Sequence, residues 1–148
     1  MPEQLDISGP HLQIAVFCEK VLVEQNDVTS LIRIIDRLTL SGPLPELPLT
    51  TTIPLTIVVS FKAGFYRGKL PLKIGPITPS GIELPAQSFP LLFEGDDERG
   101  VHVQANMTML VKEEGLYWFD VSLGDRLMTR MPLRVVYQQT RIETRSGQ

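Results

Sequence analysis

Strict alternation of apolar and polar residues governs the second half of the chain. In GVHVQANMTMLV, residues 100–111, Val101, Val103, Ala105, Met107, Met109 and Val111 share one parity, and His102, Gln104, Asn106 and Thr108 take the other. A period of two belongs to a β-strand with one buried and one wet face. KEEG then turns the chain. Tyr117, Phe119, Val121 and Leu123 point inward from the next strand, while Trp118, Asp120 and Ser122 point outward. LGDR, 123–126, reads as a two-residue hairpin turn of the primed type, where glycine accepts a positive φ that other residues resist. The returning strand is expected over 127–137, with Thr129, Met131, Leu133, Val135 and Tyr137 inside.

The first half is less regular. LQIAVFCEKVLV, 12–23, is rich in β-formers and nearly apolar on both parities, which predicts a central or sandwich-core strand. SLIRIIDRLTL, 30–40, fits a helix face at 31, 34, 35 and 38, but its isoleucine and threonine content favours a single strand, ended by SGPLPELP. Residues 41–50 form a proline-rich connection. TIPLTIVVSF, 52–61, puts Ile53, Leu55, Ile57, Val59 and Phe61 on one face. Pro54, which cannot donate to a ladder, belongs at the beginning of that strand or on an edge. FKAGFYRGK then reads as a hairpin tip, and GKLPLKI repeats the alternation through Leu70, Leu72 and Ile74. The stretch 75–90 reads as a long loop or irregular edge.

Seven or eight short strands at this spacing predict an all-β fold, an antiparallel immunoglobulin-like β-sandwich. A single domain is expected over 1–137, with 138–148 as a loose tail. The 148 residues carry a net charge of −3, 43% hydrophobic and 21% charged residues. That composition is globular, and its acidic balance argues against non-specific nucleic-acid or anionic-lipid binding. One cysteine, no basic-then-apolar leader and no apolar run of membrane-spanning length predict a cytoplasmic protein with no membrane partner.

At EEGLYWFDV, 113–121, the spacing of acidic residue, glycine and tyrosine resembles the tyrosine corner of immunoglobulin-like domains. The resemblance implies Tyr117 as the corner residue and sets Phe119 where antibody domains keep a cysteine. More broadly, FCEKVLVEQNDVTSLIRIIDRL and GLYWFDVSLGDRLMTRMPLRV look like a family of small bacterial proteins of unknown function. That likeness rests on core positions, so it implies a β-sandwich and lends no catalytic residues.

Chemistry is sparse. Nucleophilic catalysis needs a nucleophile, a base and an orienter. Only His11 and His102 are available as histidine bases, and Cys18 sits in the most apolar strand, where a thiol is usually a small core residue. No enzyme activity and no cofactor are expected. The acidic cluster EGDDERG, 94–100, offers Asp96, Asp97 and Glu98 as a weak calcium site, although these are also ordinary turn residues. Lys62, Arg67 and Lys69 around Phe65 and Tyr66 have the composition of a phosphate or nucleic-acid contact, or of a packed turn. Trp118 falls on the outward parity with Leu116, Met128 and Val136, among Arg130 and Arg134. Exposed, that group has the make-up of an interface hot spot; the alternative is that another segment covers it.

The reading is therefore a non-catalytic protein-interaction or assembly module. It would self-associate as a homodimer or bind a protein partner through Trp118, Met128, Arg130 and Arg134, or through its sheet edges. The alternative is a carbohydrate- or calcium-binding sandwich using the 94–100 loop and exposed aromatic residues.

Overall fold

The computed structural model describes residues 9–95 and 100–141. Its strands are β1 (His11–Val23), β2 (Thr29–Ile35), β3 (Arg37–Gly42), β4 (Thr52–Lys62), β5 (Arg67–Ile77), β6 (Gln87–Glu94), β7 (Gly100–Leu110), β8 (Gly115–Leu123) and β9 (Arg126–Gln139). They form two packed sheets, a four-stranded one in the order β2-β1-β4-β7 and a five-stranded one in the order β3-β9-β8-β5-β6. No helix among the described residues is long and apolar enough to cross a membrane.

The period-two strands behave as their patterns require. Ile57, Val59 and Phe61 of β4 face Leu72 and Ile74 of β5, Tyr117, Phe119 and Val121 of β8, and Leu133 of β9 within one continuous core. Edge-to-face aromatic pairs tie the layers together. Phe17 of β1 meets Phe119 at 4.9 Å, and Phe61 meets Phe93 of β6 at 6.2 Å. The hairpin between β8 and β9 turns at Gly124 with φ +59, and Asp125 is not left-handed, which is the type II′ pattern of a glycine-first turn.

Nine strands replace the expected seven or eight, for two reasons. Residues 30–40 are not one strand: the chain breaks at Asp36, leaving β2 beside β1 in one sheet and carrying β3 across to β9 in the other. Having crossed, β3 runs parallel to β9, from Arg37↔Arg134 to Gly42↔Gln139, so the sandwich is not purely antiparallel. The second addition is β6, hidden in sequence by Pro85 and Pro90; as an edge strand it tolerates proline. The 61–69 turn is likewise no hairpin tip, because β4 and β5 belong to different sheets. The last strand outruns its expected end at 137, since Gln138 and Gln139 pair with Ser41 and Gly42.

β1 was expected to be buried on both faces and is not. It is an interior strand, but of its thirteen residues only Phe17 and Cys18 are buried. Its pairing with β4 stops at Cys18↔Thr56; continued, the register would set Lys20 opposite Pro54, which has no N–H to give. Beyond that point β1 pairs only with β2, and the hairpin overhangs the sandwich. The outer face of this sheet is left apolar at Ile14, Leu22, Ile32 and Ile34, the last 63% exposed.

The tyrosine corner is present. Tyr117 is buried, and its hydroxyl donates to the Glu113 carbonyl at 2.7 Å. Burial pushes the phenol's pKa up, so it stays a neutral donor. Gly115, at φ +130, lets the chain turn into β8 with Pro79 so near that a Cβ would stand 3.0 Å from its ring.

Two outcomes are expected in thermal or denaturant unfolding. Tyr117→Phe lowers stability by about 1 kcal/mol by orphaning the Glu113 carbonyl, a fall of roughly 2–4 °C in melting temperature. Phe119→Ala, at the contact between layers, costs about 3–5 kcal/mol.

Candidate interaction surface

Trp118 sits at the centre of the five-stranded sheet's outer face, 38% exposed. Its cross-strand neighbours are Pro132 on β9 and Ile77 on β5. No loop among the described residues covers it fully, and residues 1–8 of the N-terminal segment lie outside the described residues. One register step along, Arg134 lies opposite Leu116 on one side and Arg37 on the other. Like charges directly across a sheet repel. Both arginines are exposed, and neither has a carboxylate partner among the described residues. Arg130 differs: its Nε lies 2.9 Å from Asp120 Oδ1 and its Nη2 donates to Oδ2 at 3.3 Å, so its charge is already spent within the sheet.

Met128 does not belong to this surface in the way its parity suggests. Val121 pairs with Thr129 and Ser122 with Leu127, so Met128 is the extra residue of a β-bulge. The bulge resets the alternation, and the half-buried Met128 packs against the core.

The remaining candidates are scattered. Cys18 is 2% exposed, and burial pushes its thiol's pKa up, away from the reactive thiolate. His11 opens β1 opposite Lys62, and His102 lies on β7 opposite Ser60, both exposed. Tyr66 stacks edge-on to Phe93 at 5.9 Å, making it a packing residue, while Phe65 is exposed between the sheets' two strands. Arg67 and Lys69 open β5, beside Glu94 and Leu92 of β6. Asp96, Asp97 and Glu98 lie outside the described residues. Among those described, no three His, Cys, Asp or Glu side chains cluster as metal ligands would.

The KEEG turn carries more than its turn chemistry announces. Glu113 receives the Tyr117 hydroxyl on its carbonyl and the Ser80 N–H on its carboxylate at 2.8 Å. Glu114 accepts the Tyr137 N–H at 2.6 Å. The two acids thus clasp the β5–β6 loop and β9 respectively. The loop is internally bonded as well, with Thr78 N–H donating to the Ile82 carbonyl and Leu84 N–H to the Pro76 carbonyl, both at 2.9 Å. Between this loop and the end of β7 lies a groove of about 680 Å³, floored by Met107, Met109 and Tyr117 and walled by Ile82, Leu84 and Leu110. Alternation in 100–111 predicted Met107 and Met109 as core; nothing in it signalled that a loop 30 residues earlier would stop short of covering them.

A two-sheet sandwich closed by a tyrosine corner, with a tryptophan and two arginines on an outer face that have no carboxylate partner among the described residues, is an immunoglobulin-like domain. Residues 13–136 match the model of DUF6941, a family of unknown function, and the chain belongs to that family. No curated protein matches it. Among solved structures it is similar to an immunoglobulin-like protein, PA1606, from Pseudomonas aeruginosa, at 13% identity over 88% of this chain and 98% of that one, with a TM-score of 0.39.

The Ser80 amide, first, and hydroxyl interactions hold the Glu113 carboxyl below its ordinary range. A depressed folded-state pKa adds stability above the unfolded pKa, near 4.5, that is lost as pH falls through the folded value. Wild type is therefore expected to melt higher than Glu113→Gln near neutrality, with the gap closing on acidification; a gap constant with pH would deny the carboxylate this role.

Proposed function

We propose that this protein is a non-catalytic protein-interaction module that docks through the outer face of its five-stranded sheet, around Trp118 and Arg134. The observation that carries the reading is the juxtaposition of an exposed tryptophan with two arginines, Arg37 and Arg134, set side by side without a carboxylate among the described residues. Their repulsion is a cost to the free fold that an acidic partner surface relieves. Tryptophan and arginine are also the side chains that dominate interface energetics, because each offers large contact area with a polar or charged handle. Pro132 and Ile77 beside Trp118 supply a rigid apolar surround. The partner this chemistry suits is a protein presenting carboxylates around an apolar centre; a second copy of the chain is the other candidate.

Trp118→Ala and Arg134→Glu are expected to fold with melting temperatures within a few degrees of wild type. Each should weaken association by at least about 30-fold, the effect of a hot-spot residue worth about 2 kcal/mol. Sedimentation of the purified chain, together with affinity of tagged variants for partners recovered from the native host, checks this. Unchanged mass and unchanged partner binding in both variants would remove the surface from consideration.

A further inference from the structure

A sandwich of this kind has four sheet edges, and three of them carry features that discourage further pairing. β6 has Pro90 at its middle, where an N–H is lost. β2 has Arg33 at φ +54, a left-handed residue that breaks the run of edge groups. β3 is only six residues long and ends against Pro43 and Pro45. The fourth edge, β7, is different. All eleven of its residues pair in unbroken register with β4, it contains no proline, and none of its residues has a positive φ.

The groove lies against that edge. It is lined by four consecutive β7 residues, Met107, Thr108, Met109 and Leu110, two from each face of the strand. A cavity touched by both parities borders the strand's rim and not one of its faces. Its far wall is the loop of Ile82 and Leu84, and no backbone hydrogen bond among the described residues joins 104–110 to 78–87. Leu110 and Ile82 are 44% and 61% exposed. The charged lining residues are Lys112 and Glu113, and the Glu113 carboxylate is engaged by Ser80, whereas Lys112 is exposed with no carboxylate partner among the described residues. Lys112, with no carboxylate partner among the described residues, is therefore the charge at the C-terminal end of β7 left for an incoming acid, while the Glu113 carboxylate keeps its negative charge against Ser80.

We propose that the free edge of β7 over 104–110, with the groove beside it, is a strand-addition site for an extended segment of another protein. The segment runs antiparallel to β7, the more stable pairing, with an apolar residue at every second position and an acidic residue near its N-terminal end. Its backbone completes the ladder that β7 leaves open. Alternate apolar side chains enter the groove above Met107 and Met109, and the acidic residue meets Lys112. The site is independent of the Trp118 surface.

The test is selection of a displayed library of random peptides on the immobilised full chain, followed by affinities of the enriched peptides. The expected peptides alternate apolar residues and carry an acid toward the N-terminus. They bind Trp118→Ala like wild type, and bind Leu110→Glu and Ile82→Glu at least tenfold more weakly, with the variants' folding checked by thermal melting. Lys112→Glu, which alters only an exposed charge, should weaken the acidic peptides and favour versions with lysine in place of the acid. In amide spectra of labelled protein the shifts should concentrate at 104–112. Enriched peptides without alternation, equal binding to wild type and groove variants, or shifts around Trp118 would each overturn the proposal. So would a dimer that dissociates in Leu110→Glu, which would assign the edge to a second copy.

Discussion

The hydrogen bond from the Tyr117 hydroxyl to the Glu113 carbonyl is the constraint on which this end of the molecule depends. A tyrosine ring 1% exposed brings its hydroxyl with it, and that part-buried hydroxyl must find a partner. The partner lies four residues back, so the chain has to leave β7, arch over and enter β8 with Gly115 left-handed against Pro79. The same arch presents the side chains of Glu113 and Glu114 in opposite directions, one holding the β5–β6 loop and the other β9. One part-buried polar atom thus sets the crossing between sheets, the position of a loop and the depth of the groove beneath it.

The two sheets expose different chemistry. The four-stranded sheet turns Ile14, Ile32 and Ile34 to the outside, and its first two strands outrun β4 where Pro54 ends the shared ladder. The five-stranded sheet shows arginine and lysine around Trp118, although the whole chain is acidic. Ion pairs temper this basic face in part, since Arg130 is matched by Asp120, while Arg37 and Arg134 face each other. An acidic average therefore conceals a locally basic surface.

Most of the core was legible in the chain itself. Strands with one wet and one dry face leave a period-two trace, and every inward residue expected on β4 and β8 is buried. The corner tyrosine was legible because its spacing to the acidic residue and glycine is short and local. What escaped was decided by non-local geometry. Asp36 sits inside an apolar run with no glycine or proline to mark the crossing between sheets. β6 carries Pro90, which argues for a loop unless its edge position is known. Met128 kept the right parity in sequence and lost it in space, because a bulge adds a residue that alternation cannot count. The groove was invisible for the same reason: it is made by two segments far apart in the chain.

The strand-addition site requires β7 to be an open edge in the free protein, and amide hydrogen exchange at single-residue resolution tests that directly. In an antiparallel edge strand, alternate N–H groups point to the neighbour and away from it. Over 104–110 an open edge predicts alternation, with amides directed at β4 exchanging slowly and the intervening ones exchanging fast. Uniform slow exchange along the strand would mean that the edge is already covered, and would contradict it.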